Sequence, residues 1–339
     1  MTPMKEFANA RAADPASRRP VLSVLIPFYG SAPHGLVASL AACAAPPHLA
    51  GGEDAIEIVC ADDGSPDRTL APALERRMAG LAVACRLLES AANLGRSRIR
   101  NRLAEAARGE YVLFLDGDMQ LRDPAFLRTY LDFLAGRETA GIPVDVAFGG
   151  FEMPVAETAG GGTADDAGSS SYALHVYDSR RSHCLSAAER AKSPAKYTYT
   201  SNLLVRRDLM LACPFAEDFT GWGWEDVDWS LRIAECAHID HIDNPAVHAG
   251  FSTAEALLAK YRESVANFRR LCLRHPEAVR EFPIFKASLM MARIPFAAAL
   301  QTLLEAAMLG PWPVRARYAA MKLLRACLYR DVVRSLPMV

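Results

Sequence analysis

The residues best suited to chemistry are Asp116-Gly117-Asp118, which follow the apolar run Tyr111-Val112-Leu113-Phe114-Leu115. Two carboxylates one residue apart can face a single hard cation where the turn between them is tight, and Gly117 permits such a turn. Mg²⁺ or Mn²⁺ takes carboxylate oxygens together with phosphate oxygens and water, and neutralises charge on a leaving diphosphate. Asp and Gly are also ordinary turn residues, so the motif takes its meaning from its position. A second acidic cluster, Asp62-Asp63-Gly64-Ser65, follows another apolar run. A carboxylate there can accept the imide N–H of uracil or a ribose hydroxyl, or can simply form a turn with a helix cap. A third pair, Glu225-Asp226, stands behind Gly221-Trp222-Gly223-Trp224. These acids suit general-base chemistry on a hydroxyl, and Trp222 and Trp224 supply an aromatic wall for a sugar face.

Positioning these groups requires alternating strands and helices. Val21 to Pro27, Ile56 to Ala61, Val83 to Leu88 and Tyr111 to Leu115 read as buried strands. His34 to Ala44, a segment ending at Met78 and capped by Ser65 or Asp67, and Arg96 to Ala107 read as helices. That alternation predicts an α/β fold with a mostly parallel central sheet. Ligands of such sheets collect beyond the carboxyl ends of the strands, where residues 27–30, 62–65 and 116–118 all fall. Val144 to Glu152 reads as a further strand, 157–171 as a flexible loop and Tyr199 to Leu204 as extended. Tyr177 to Lys196 reads as a basic, helix-leaning segment, either a loop closing over a diphosphate or meeting an anionic acceptor, or simply a solvated helix. From Thr253 onward the pattern is helical.

Val24-Leu25-Ile26-Pro27-Phe28-Tyr29, Ala61-Asp62-Asp63-Gly64-Ser65, the stretch from Asn93 to Asn101, Phe114-Leu115-Asp116-Gly117-Asp118 and Gly221-Trp222-Gly223-Trp224-Glu225-Asp226 resemble, in order, the motifs of family 2 glycosyltransferases. The resemblance covers about residues 20 to 270 and implies the GT-A fold. It implies that Pro27, Phe28 and Tyr29 line a nucleoside pocket, with Asp62 on the uracil of a UDP-sugar donor and Asp63 nearby. Arg98 would approach the base or phosphates. Asp118 would ligate Mn²⁺ or Mg²⁺ directly, and Asp116 would touch ribose or act through water on the metal. His248, an imidazole of the kind that binds Mn²⁺, would be a further ligand. Asn202 and Trp222 would line the acceptor side, and Trp224 and Gly117 the donor side. Asp226 would be the base of an inverting transfer, with Glu225 the other candidate. The acceptor class implied is a glycan or a lipid-linked hydroxyl.

The chain has 339 residues, 51% of them hydrophobic, and a net charge of −1, which gives no global attraction to nucleic acid. Residues 1–19 lack an apolar core and read as a disordered leader, followed by a catalytic domain over 20–255 and a helical region over 256–339. The eight cysteines form no CxxC pair and read as reduced thiols of a cytoplasmic protein. In the C-terminal region apolar residues alternate with Lys and Arg. Those helices pack on the catalytic domain or a second subunit, or lie on the inner face of a membrane. Two other readings compete. A nucleotidyltransferase would carry a Gly-rich loop after the first strand, which Pro27-Phe28-Tyr29-Gly30 lacks. A non-catalytic carbohydrate-binding protein would lack the acidic pairs.

Overall fold

Unbroken apolar runs make the central strands buried on both faces. In the computed structural model, which describes residues 4–15, 18–49, 52–154 and 171–336 (of 52 and 53, the backbone alone), β1 is Lys5–Ala8, β2 Leu22–Phe28, β3 Ile56–Asp62, β4 Ala84–Glu89 and β5 Tyr111–Leu115. β6 is Met119–Gln120, β7 Val146–Phe148, β8 Phe151–Glu152, β9 Asn202–Arg206, β10 Ile239–His241 and β11 Ala246–His248. Eight strands form one sheet in the order β1-β4-β3-β2-β5-β9-β7-β10, and β6-β11-β8 form a second. Alternate side chains divide between two cores: Val24, Ile26, Ile58 and Leu113 enter one, and Leu25, Val59, Val112 and Phe114 the other.

The central strands β4, β3, β2 and β5 are parallel, as the α/β pattern requires. β9 runs antiparallel to both neighbours, pairing Leu115 with Asn202 on one side and Phe148 with Leu203 on the other. The single strand expected over 144–152 is two strands in different sheets. They part at Gly149 and Gly150. A Cβ on Gly149 would lie 2.3 Å from the Tyr130 hydroxyl, and Gly150 has φ +85°. The basic segment 177–196 is likewise divided, into the helices Ala173–Ser182 and Ala187–Arg190 and a 3₁₀ turn at Pro194–Tyr197.

The leader expected to be disordered is ordered where it is described. β1 adds antiparallel to β4, pairing Lys5 with Glu89 and Phe7 with Leu87. Asn9 then caps a short helix and donates to the Leu81 and Val83 carbonyls. A polar, alanine-rich stretch thus gains order from backbone pairing and one buried amide rather than from an apolar core of its own. The glycine-rich stretch expected as a flexible loop lies, through residue 170, outside the described residues.

Two units emerge. The first comprises residues 1–152, 185–217 and 229–250; the second comprises 153–184, 218–228 and 251–339. The division expected near residue 255 therefore differs, because two internal segments join the C-terminal helices. In the second unit, the helices Ala254–Arg274, Ala297–Leu309 and Val314–Ser335 share a core that includes Leu257, Tyr261, Met308, Met321 and Leu324. Thr253 caps the first of these helices through its side chain, which accepts from Ala256 N.

Candidate functional site

The carboxyl edge of the first unit gathers its acidic residues through backbone pairing. β3 ends at Asp62, whose Oδ1 accepts from Ser65 N at 2.9 Å and Ser65 Oγ at 2.6 Å. Ser65 Oγ in turn accepts from Gly30 N, so it ties the loop after β2 to the loop after β3 instead of capping a helix. No bond to Asp62 Oδ2 is made among the described residues. Asp63 is committed elsewhere: its two oxygens accept from Leu94 N at 2.7 Å and Gly95 N at 3.0 Å. Burial pushes the Asp63 carboxyl up, against the pull of these two donors. Its role here is to clamp the loop that starts the helix Arg96–Ala106, not to present a free carboxylate to a donor.

Asp116 leaves β5 beside Arg100, with a 2.9 Å ion pair between them. Burial favours the neutral acid, but Arg100 and then Arg96 outweigh it and hold Asp116 below the usual carboxylate range. Arg98, expected at the base or phosphates, instead lies half exposed against Glu217 at 3.2 Å. Helical spacing explains the correction. Positions 96 and 100 share a face, whereas position 98 lies roughly 200° away from 96. That spacing in the sequence is the signal that singles out Arg100.

Gly117 also differs in its reason. Its backbone is not left-handed; a Cβ there would sit 3.3 Å from Pro27 O and 3.5 Å from Phe28 Cβ. The glycine lets the end of β5 press against the end of β2, where Tyr29 is 55% exposed.

Asp118 and His248 meet because β6 and β11 pair antiparallel, with Met119 opposite His248. Ala249 N donates to Asp118 O, and His248 Nε2 lies 3.5 Å from Asp118 Oδ2. Gly250 makes this approach possible: a Cβ on it would fall 1.8 Å from Asp118 Oδ2. Among the described residues no group of three or more His, Cys, Asp or Glu is drawn together as a metal cluster. A carboxylate oxygen and an imidazole nitrogen nevertheless suit Mn²⁺ or Mg²⁺, and neighbouring ligands of an octahedral ion at ~2.1 Å stand about 3 Å apart. The donor set fits an ion that takes its other ligands from phosphate and water.

Asn202, expected on the acceptor side, is fully buried. Its Nδ2 donates to Gly150 O and Asn244 O, both at 2.8 Å, and its Oδ1 accepts from Tyr130 Oη at 2.7 Å. It pins the turn between β7 and β8 and has no face for a ligand. A cavity of about 560 Å³ opens at the other edge of the sheet, beside the starts of β3 and β4, and none of these site residues lines it.

In the second unit, Gly221, Gly223 and Trp224 all have positive φ, and Trp224 at +75° is strained for a bulky residue. Asn267 Nδ2 donates to Thr220 O and Gly223 O and braces the segment. Trp224, expected to stack on a donor sugar, is buried; its Nε1 donates to Tyr329 Oη at 3.1 Å, and Arg325 lies over its ring at 5.0 Å. Trp222 is half-buried, edge-on to Tyr261 at 5.9 Å. The helix Glu225–Ile233 opens with Glu225, Asp226 and Asp228 in its first turn. Asp228 is structural: it is fully buried and accepts from Arg274 at 3.2 Å, and its Oδ1 lies 3.1 Å from His275 Nε2.

Comparison with known proteins gives a family match for one segment. Residues 23–158 match glycosyl transferase family 2. This segment is a family 2 glycosyl transferase segment. No curated protein matches the chain at a significant level. Among solved structures, the mannosyltransferase PcManGT from Pyrobaculum calidifontis, in complex with GDP-Man and Mn²⁺, superposes with a TM-score of 0.54 at 20% identity, covering 93% of this chain and 88% of that one. TarS residues 1–349 from S. aureus superpose with a TM-score of 0.49 at 17% identity, covering 93% and 90%. The fold of the chain is GT-A: a mostly parallel central sheet followed by C-terminal helices.

Proposed function

We propose that the chain is an inverting, divalent-metal-dependent glycosyltransferase. In this reading it moves a hexosyl or N-acetylhexosaminyl group from a UDP-sugar to a hydroxyl of a glycan or lipid-linked acceptor. The observation that carries the proposal is the 3.5 Å approach of His248 to Asp118. Backbone pairing builds it near the edge where β3 ends at Asp62 and Asp116 follows β5.

Asp118 and His248 are the residues that would hold Mn²⁺ or Mg²⁺. When bound, the ion supplies positive charge against a leaving diphosphate. Asp116, kept ionised by Arg100, is read as the acceptor of a ribose hydroxyl. Asp62 Oδ2 is read as the acceptor of the uracil N–H, with Pro27, Phe28 and Tyr29 lining the nucleoside. Asp226 is the proposed base, with Glu225 the other candidate. It takes the proton of the acceptor hydroxyl as that oxygen bonds to the anomeric carbon. The bond from that carbon to the diphosphate oxygen breaks, and its electron pair leaves with the diphosphate. Support for this pair is the motif Gly221 to Asp226 and its place at the start of a helix. Trp222 remains the acceptor-side candidate.

The test is UDP release from a panel of UDP-sugars with Mn²⁺, comparing wild type, Asp118→Ala and Asp226→Asn. The proposal expects release by the wild type, strongly reduced in both variants. Undiminished release by Asp226→Asn would remove that residue as base, and no release from any UDP-sugar would remove the donor class.

A further inference from the structure

The C-terminal helices turn apolar side chains outward. The helix Ala297–Leu309 is buried through Leu304 and Met308. Its outward positions are Ala298, Ala299, Thr302, Leu303, Ala306 and Leu309, all exposed and none charged. A surface helix ordinarily presents charged and polar groups on that side. Leu303 is 66% exposed, and aromatic residues stand just beyond both ends of the helix, Phe296 at 85% and Trp312 at 59% exposure. Phe296 is also left-handed, with φ 60°. A bulky side chain pays for that backbone, and at this exposure it returns no burial to the fold, which points to a role outside it. Residues 283–336 carry eight Lys or Arg against two acids, and of these Lys286, Arg293, Arg315 and Arg334 are exposed, in a chain whose net charge is −1.

We propose that this face docks on an anionic lipid surface, with the helix lying in the headgroup plane. Phe296, Leu303 and Trp312 enter the acyl boundary, and exposed cations such as Arg293 meet the lipid phosphates. Thirteen helical residues extend only about 20 Å, too short to span a bilayer. Among the described residues no helix is long and apolar enough to cross one. A second copy is the weaker occupant, because packing face to face would bring exposed cations such as Arg293 together at the rim. The inference stands on the surface alone and does not depend on the transfer reaction.

Flotation of the full chain with phosphatidylcholine vesicles, with and without phosphatidylglycerol, tests it. The wild type is expected to float only with the anionic vesicles, less so in high salt. Phe296→Asn suits a left-handed backbone, so its melting temperature should hold or rise while its vesicle partition drops about tenfold; Leu303→Gln should lower partition similarly. The proposal is overturned if the wild type ignores phosphatidylglycerol vesicles, or if both folded variants float as well as wild type. It is equally overturned if the wild type is a dimer that Leu303→Gln dissociates while neither binds vesicles.

Discussion

His248 Nε2 stands 3.5 Å from Asp118 Oδ2 across two paired strands. The residues are far apart in sequence, and backbone hydrogen bonds, not contact between the side chains, bring them together. The space between them is set by Gly250, where a Cβ would fall 1.8 Å from Asp118 Oδ2.

Gly250→Ala should therefore displace Asp118 while leaving the central sheet intact. A shift of about 1 Å in a positioning group can cost about a hundredfold in rate. We expect at least about a tenfold loss of transfer with a melting temperature close to wild type. Unchanged transfer would show that Asp118 is free to move without consequence.

Arg100 and Arg98 separate a buried partner from an exposed one. Arg100→Gln strands Asp116 in a partly buried setting and should cost about 2–3 kcal/mol of stability in chemical denaturation. Arg98→Gln breaks a half-exposed pair with Glu217 and should cost less than about 1 kcal/mol. Equal costs would contradict the assignment of Arg100 as the partner of Asp116.

Asn202→Ala removes a fully buried amide that satisfies two carbonyls and one hydroxyl. Unfolding should become easier by about 2–4 kcal/mol, since each abandoned partner is left without solvent. The acceptor KM should not change selectively. A stable variant with a raised acceptor KM would return Asn202 to the acceptor side.

The legible part of this molecule is the part governed by local pattern. Tyr111–Leu115 and His34–Ala44 fall where apolar runs and helical spacing put them. The acids at the strand ends follow from the α/β rule about carboxyl edges. What sequence could not disclose depends on partners far away in the chain. The family resemblance puts Asn202 and Trp224 at ligand contacts, yet their hydrogen bonds to Gly150 and Tyr329 commit them within the protein. β9 runs antiparallel because of where it inserts, between β5 and β7, which its own residues do not encode. Arg100 was within reach, since it shares a helical face with Arg96.

His241 offers a pH signature. Arg190 Nε donates to its Nδ1 at 3.2 Å, and Nε2 faces Pro194 O at 3.3 Å, an arrangement for a neutral ring. Burial, and then Arg190, lower its pKa from 6.5 to about 4. Between those values the unfolded chain binds a proton that the folded chain refuses. The stability is full above about pH 6.5 and falls as pH drops towards 4, by up to about 3 kcal/mol. Denaturation curves of His241→Gln should be flatter over this window; an identical slope would contradict the neutral ring.

The most direct measurement is calorimetric titration of UDP into wild type and His248→Gln, each with and without Mn²⁺. Tighter UDP binding with Mn²⁺ in the wild type, and no such gain in His248→Gln, is the predicted result. UDP binding that ignores Mn²⁺, or gains equally from it in both proteins, would contradict the pairing of Asp118 and His248 as the metal site.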